Sequence, residues 1–303
     1  MKIVFMGTPN FSVPILKALN EKYEIGLVIS QPNRIKKKGA FIDTPVAIAA
    51  KELNLELIQP EHIKDAYDLI CGKGDILVTA AYGQYVPSKI LNLFKKCINV
   101  HASLLPLHRG GAPIQRALME GDLKTGVTIM EMTKKLDAGK MFAKAEYEID
   151  ADDNNSILFD KLSIIGKDLL LNNIENIYNG INQGEEQNEE LATISPNILP
   201  EEEKIDLNKK TKDIINQIRG LAMEPGAYLE VGDIKLKIFK AHDINYQGNE
   251  NVGYVLETKK RIVLKTLDSA IELDLVLYPG KKILSGKDFS NGQKLFIKDS
   301  LLK

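Results

Sequence analysis

The chain has no tryptophan, only two cysteines and few aromatic residues (6%). Cys71 and Cys97 form no CxxC pair, so a disulfide framework and a cysteine-rich metal site are both excluded. Its four histidines, His62, His101, His108 and His242, are scattered, with no two spaced to share one helix face, and no metal is expected. No apolar run approaches the roughly 20 residues of a membrane-spanning helix. The apolar part of the opening "MKIVFMGTPNF" is too short for a secretory signal, and no small-residue cleavage site follows. A reduced, cytoplasmic protein without a membrane partner is expected. Phosphate-cradling loops are missing too. The first strand runs into "MGTPNFSVP", one glycine in place of G-x-G-x-x-G, with Pro9 where cradling amides would sit. Gly72-Lys73-Gly74 has the wrong spacing for a Walker loop, and no G-x-S-x-G supports a serine hydrolase.

What is present is a globular composition, 44% apolar and 27% charged over 303 residues, enough for two domains. In the first half, the Val- and Ile-rich runs "KIVFMG", "EIGLVIS", "DILVTAA" and "INVHAS" read as strands. They alternate with the helical patterns "VPILKALNEK", "TPVAIAAKELN" and "HIKDAYDLICGK". Such alternation predicts an α/β domain, a doubly wound, Rossmann-like and mostly parallel sheet, over residues 1–182. The reading continues with two strands joined at Leu136-Asp137-Ala138-Gly139 and a long helix from Asn155 to Tyr178. Residues 183–206 are acidic, aperiodic and contain two prolines, and read as a linker. Residues 207–303 carry a helix and then short β segments, which predicts a smaller, OB-like β-barrel domain. The net charge of −1 is unevenly spread. From Leu207 to Lys303 there are 17 Lys/Arg against 12 Asp/Glu, which points to an anionic partner for that third or to an incidental excess of lysine.

In a doubly wound sheet, ligands bind beyond the carboxyl ends of the strands. Met6-Gly7-Thr8, Ala80-Ala81-Tyr82-Gly83 and Asn99-Val100-His101 all fall at such ends. The last belongs to "INVHASLLPLHRGGAPIQ", where period-2 alternation puts Asn99 and His101 on one face of a strand. An amide donor beside an imidazole can stabilise an oxyanion and manage a proton, and Asp137 could orient or charge that imidazole. Spacing alone reads His101 more readily as a hydrogen-bonded core residue.

The run "NVHASLLPLHRGGAPIQRALMEGDLKTGVTIMEMTKKLDAG" (Asn99 to Gly139) closely resembles the signature of the folate-dependent formyltransferases. "MGTPNFSVPIL", "AAYGQYVP" and, near the second domain, "KIDLNKKTKDIINQIRGLAMEPGAYLEVGDIKLKIFKA" extend the resemblance over nearly the whole chain. The resemblance implies transfer of a formyl group from N10-formyltetrahydrofolate, bound as donor substrate, to the α-amino group of initiator methionyl-tRNA. It implies Asn99, His101 and Asp137 as the catalytic residues. A folate pocket is implied at Tyr82, Gly83, Gln84, Ser103, Leu104, Leu105, Pro106, Leu136 and Gly139. Contacts to tRNA are implied at Arg34, Lys36, Lys37 and Lys38, and the basic second domain would serve as a tRNA platform in a monomeric enzyme. The chain departs from the family pattern in two places. The loop after Gln31-Pro32-Asn33-Arg34 is shortened and lysine-rich, which supplies charge but not bidentate geometry. The family's tryptophans at the entry to the second domain are absent. Whether Asp137 holds His101 or relays the amine proton stays open from sequence. Related enzymes acting on amino sugars or releasing formate, and a non-catalytic RNA-binding protein, are the rival readings.

Overall fold

The computed structural model describes residues 1–35, 41–292 and 295–302, which divide into two compact units. The first takes residues 1–113, 124–148 and 159–196; the second takes 114–123, 149–158 and 197–303. The chain runs through β1 (Lys2–Gly7), α1 (Ser12–Lys22), β2 (Glu24–Ile29), β3 (Arg34–Ile35), β4 (Phe41–Ile42), α2 (Pro45–Glu52) and β5 (Leu57–Ile58). It continues with α3 (Tyr67–Ile70), β6 (Ile76–Ala80), α4 (Ser88–Leu91), β7 (Lys96–His101), α5 (Pro113–Glu120), β8 (Lys124–Glu131), β9 (Met141–Glu148) and α6 (Asn155–Tyr178). After these come α7 (Thr211–Leu221), β10 (Ala227–Val231), β11 (Ile234–Asp243), β12 (Val255–Glu257), β13 (Val263–Lys265), β14 (Ala270–Leu277), β15 (Ile283–Ser285) and α8 (Gly286–Gly292).

The first unit is built on a seven-stranded sheet of order β5-β2-β1-β6-β7-β8-β9. Strands β5 to β7 are parallel, whereas β8 and β9 join antiparallel. Every residue of β6 (ILVTA) is buried, as expected for a central parallel strand covered on both faces. At the far edge, β9 alternates, with Lys144, Glu146 and Glu148 turned outward; edge charges of this kind discourage pairing with another chain. Helix α2 starts as its sequence predicts, with Thr44 Oγ1 accepting from Ala47 N at 3.2 Å and Pro45 at the first turn.

The chain winds outward from β1 to β2 and β5, then returns to place β6 and β7 on the other side. The reversal falls between β1 and β6, the topological switch point where doubly wound sheets open a crevice. Two contacts close that end tightly. A Cβ on Gly7 would lie 2.6 Å from Ser12 Cβ, and Ser12 Oγ donates to Ala80 O at 2.5 Å. Gly7 therefore serves close helix–strand packing rather than a pyrophosphate.

The second unit is an antiparallel curled sheet of order β10-β11-β14-β13-β12, with β15 paired to β14. Among the described residues no ladder joins β10 to β12, so the expected barrel is an open half-barrel. Helix α7 buries Ile214, Ile218 and Leu221 against this sheet, a spacing that keeps one face apolar. Among the described residues, no helix is long and apolar enough to cross a membrane.

Two short pieces have no clear period in the sequence: Leu57–Ile58 pairs in parallel with β2, and Ile283–Ser285 pairs with β14. The helix expected over "HIKDAYDLICGK" is cut down to a 3-10 turn followed by the four-residue α3.

Candidate active site

The carboxyl end of the first sheet concentrates unusual backbone. Ala81 (φ 46°), His108 (φ 59°) and Asp137 (φ 47°) are left-handed without being glycine, and Gly83 (φ 91°) and Gly110 (φ 122°) lie beside them. Each such non-glycine residue costs on the order of 1–3 kcal/mol, and strain of this kind gathers at functional sites.

Asn99 and His101 end β7 on one face, as their alternation requires. Thr79 Oγ1, from the neighbouring β6, donates to Asn99 Oδ1 at 2.7 Å. That bond occupies the acceptor end of the amide and leaves Nδ2, its donor end, with no acceptor among the described residues. His101 is only 5% exposed. Its Nε2 lies 2.9 Å from the carbonyl of His108, and a carbonyl can only accept. The neutral ring therefore carries its proton on Nε2, and the lone pair sits on Nδ1. That Nδ1 is 3.8 Å from Asp137 Oδ2, too far for a hydrogen bond but close enough to stabilise an imidazolium.

Asp137 lies in the turn between β8 and β9, its side chain 13% exposed. Gly110 N donates to its Oδ2 at 2.9 Å. Gly139 is required in that turn, because a Cβ there would come within 2.1 Å of Glu131 O. The loop carrying His108 to Gly110 is in turn held by residues 193–195. Ser195 N donates to Arg109 O at 2.6 Å, Arg109 N to Thr193 O at 2.9 Å, and His108 Nδ1 and Ser195 Oγ pair at 2.7 Å. Arg109 itself is 2% exposed and bonds Gln187 and Glu189. The Arg109 guanidinium, then Lys135, hold the Glu189 carboxyl down at about 2.

A second group lies at the end of β6. Thr8 Oγ1 donates to Tyr82 O at 2.8 Å, and Gln84 Nε2 donates to Gln31 Oε1 at 3.2 Å. Beside them opens a cavity of about 550 Å³, lined by Gln31, Glu61, Lys64, Gly83, Gln84 and Tyr85 among others.

His101 and Asp137 thus approach each other, Asn99 shares the strand face of His101, and Gly83 and Gln84 line a cavity. The remaining predicted residues are placed differently. The Tyr82 ring is packed in the core with Val86 and Ile90, where burial pushes its phenol up to about 12, so only its backbone faces the Gln31 network. Leu105 is buried against Met130 and Met141. Ser103 is fully buried, with Oγ donating to Leu107 O, and its carbonyl accepts from Thr128 Oγ1. Leu104 is partly buried, the Pro106 carbonyl accepts from Thr193 N at 3.3 Å, and Leu136 is exposed. None of residues 103–106 lines the 550 Å³ cavity. Arg34 enters the β3–β4 ladder through its backbone, paired with Ile42, while Lys36, Lys37 and Lys38 lie outside the described residues.

Thr79, His108, Gly110 and Gln187 escaped sequence reasoning. Gly110 lies within the Asn99–Gly139 motif, where two adjacent glycines signal a close backbone approach. Gln187, in an aperiodic acidic stretch, carried no signal.

The fold and this cluster describe a group-transfer enzyme of the doubly wound class, and the comparisons make the class specific. Residues 1–174 match the formyl transferase family and residues 197–294 its C-terminal domain. The chain belongs to the formyl transferase family. Methionyl-tRNA formyltransferase of Streptococcus pneumoniae is 43% identical over 298 residues, covering 96% of this chain and 95% of that protein. Among solved structures, HypX from Aquifex aeolicus in complex with tetrahydrofolic acid superimposes with a TM-score of 0.66 at 18% identity. That match covers 94% of this chain, which spans about half of HypX (46%). An N-formyltransferase from Helicobacter canadensis, solved with folinic acid and dTDP-3-aminofucose, gives a TM-score of 0.67 at 20% identity, over 90% of this chain and 98% of that one.

Proposed function

We propose that the protein transfers the formyl group of N10-formyltetrahydrofolate to the α-amino group of methionyl-tRNA, giving N-formylmethionyl-tRNA for translation initiation. The observation that carries this reading is the 43% identity to a methionyl-tRNA formyltransferase across both units. The geometry at the end of β7 then suggests how the reaction proceeds.

The attacking amine must be neutral, and an α-amino group titrates near pH 8, so only mild help is needed. Its attack on the formyl carbon forms a C–N bond and a tetrahedral oxyanion. Asn99 Nδ2, left with its protons free by the Thr79 bond, is the donor to that oxygen. His101 Nδ1 is the acceptor for the amine proton, because the His108 carbonyl keeps the ring proton on Nε2. Asp137 balances the imidazolium that results. Collapse of the intermediate breaks the bond from the formyl carbon to N10, and His101 returns its proton to that nitrogen.

Gly83 and Gln84, beside the cavity, are the folate-side residues whose surroundings support that role. The Ser103–Pro106 run, Leu136 and Gly139 do not line that cavity, and their part in folate binding rests on the family resemblance alone. Catalysis is assigned to residues 1–182 together with 183–196, which the sequence reads as linker but which pack in the same unit, and tRNA binding to residues 207–303, whose excess of Lys/Arg would meet phosphates. Arg34, Lys36, Lys37 and Lys38 contact the acceptor end, and the enzyme works as a cytoplasmic monomer.

The test is an assay with N10-formyltetrahydrofolate and initiator methionyl-tRNA, with elongator methionyl-tRNA and an amino-sugar nucleotide in parallel. Formylmethionine formed on the initiator alone supports the reading. Formate release without it, or formylation of the sugar alone, overturns the acceptor.

A further inference from the structure

We infer that Gln187 is a positioning residue for catalysis, acting through Asp137; this rests on the catalytic role proposed for Asp137. Gln187 lies in the acidic stretch after α6, yet it is only 8% exposed and every hydrogen-bonding position of its amide is used. Nε2 donates to Asp137 O and to Gly139 O, both at 2.8 Å. Oε1 accepts from Arg109 Nε at 3.0 Å and Arg109 Nη2 at 2.8 Å. The two donors bracket Ala138 and pin the turn that carries the left-handed Asp137. The two acceptances tie that turn to Arg109, whose successor Gly110 donates to the Asp137 carboxylate. Gln187 therefore couples the two elements that aim Asp137 Oδ2 at His101 Nδ1.

A primary amide alone meets this demand at this length. Glutamate offers acceptors to Arg109 and nothing to the two carbonyls, and methionine offers neither. A carboxylate that drifts from its 3.8 Å approach stabilises an imidazolium less, and a displacement near 1 Å can cost about 10²-fold in rate. Loss of two donors at one remove from the reacting atoms should cost less.

The experiment is a double-mutant cycle in the full-length enzyme. Gln187→Glu keeps a partner for Arg109 and removes both donors. It is expected to lower kcat about tenfold, with KM for folate and for methionyl-tRNA within twofold of wild type, in a protein that melts lower but stays folded at the assay temperature. Gln187→Met, which adds no charge, should lose as much in kcat. In an Asp137→Asn background Gln187→Glu should change kcat by less than twofold, because the group it aims is gone.

Wild-type kcat in both single variants overturns the inference while leaving Asp137 catalytic. So does a full tenfold loss on top of Asp137→Asn, or a folate KM that rises in step with the loss of kcat. If Asp137→Asn alone keeps wild-type kcat, the proposed catalytic role fails and this inference falls with it. Should Gln187→Met not fold, Gln187→Glu and its cycle decide the matter.

Discussion

At the scale of single residues, the site works by fixing which atom is free. Asn99 could present either end of its amide to a ligand, and Thr79 selects the donor end. Asn99→Ala is expected to lower kcat by about 10²–10³ with folate KM little changed, the usual cost of one oxyanion donor. Thr79→Val preserves shape and removes only the donor to Oδ1; steady-state kinetics should show a smaller loss, about three- to tenfold, again in kcat. A normal kcat in Asn99→Ala would remove that residue from the mechanism. Glu189 gives a prediction in pH. Its folded value, about 2, lies below the ordinary 4.5, so its ion pairs stabilise the protein above about pH 4.5 and the contribution fades as pH falls toward 2. Thermal melts should therefore show Glu189→Gln less stable than wild type at pH 7, with the gap narrowing as pH falls from about 4.5 toward 2. A gap that widens in acid would contradict the assignment.

At the scale of elements, the stretch 183–196 contributes more than its composition suggests. It pairs with the sheet at Met141–Glu185, returns to Arg109 at Ile194, and supplies Gln187 and Ser195 to the loops facing the site. Hydrogen exchange should find the amides of Glu185 and Ser195, both bonded to backbone carbonyls, slower than that of the exposed Glu186. Equal, fast exchange of all three would mean that this stretch does not hold the site. The approach to residues 193–195 is close. Gly110 has φ 122°, and a Cβ on it would lie 2.6 Å from Ser195 O. Gly110→Ala should destabilise the protein by at least about 1–3 kcal/mol from backbone strain alone and depress kcat with it, measurable by urea unfolding and steady-state kinetics.

At the scale of the whole molecule, chemistry and charge are assigned to different stretches of chain. The proposed reacting groups, Asn99, His101 and Asp137, lie within residues 99–137, and the excess of Lys/Arg lies from Leu207 onward. A phosphate-binding platform loses affinity with salt through counterion release, whereas a site for one small folate loses little. Raising KCl from about 50 to 200 mM should therefore raise the KM for methionyl-tRNA by orders of magnitude. The folate KM should stay nearly flat, and parallel changes in both would refute the division.

The α/β order of the first unit, the buried β6, the single long α6 and the meeting of Asn99 with His101 were legible in the residues, because alternation and Val/Ile content act locally. The motif from Asn99 to Gly139 likewise carried the family, since its signature is nearly contiguous. What the sequence could not decide depends on contacts between distant positions. Leu57–Ile58 is too short to show a period, and becomes a strand only because β2 offers it an edge. The ring of Tyr82 and the side chain of Leu105 read as pocket walls but pack into the core, because burying apolar surface there gains more than facing a ligand. The tautomer of His101 depends on a carbonyl seven residues away whose direction follows from a left-handed His108. Gln187 reaches Asp137 across 50 residues of chain, and no local pattern marks it. The sequence determined which chemical groups are present and which short stretches become strands or helices. Tertiary structure decided which ends of those groups are free to react, because that depends on partners supplied from far along the chain.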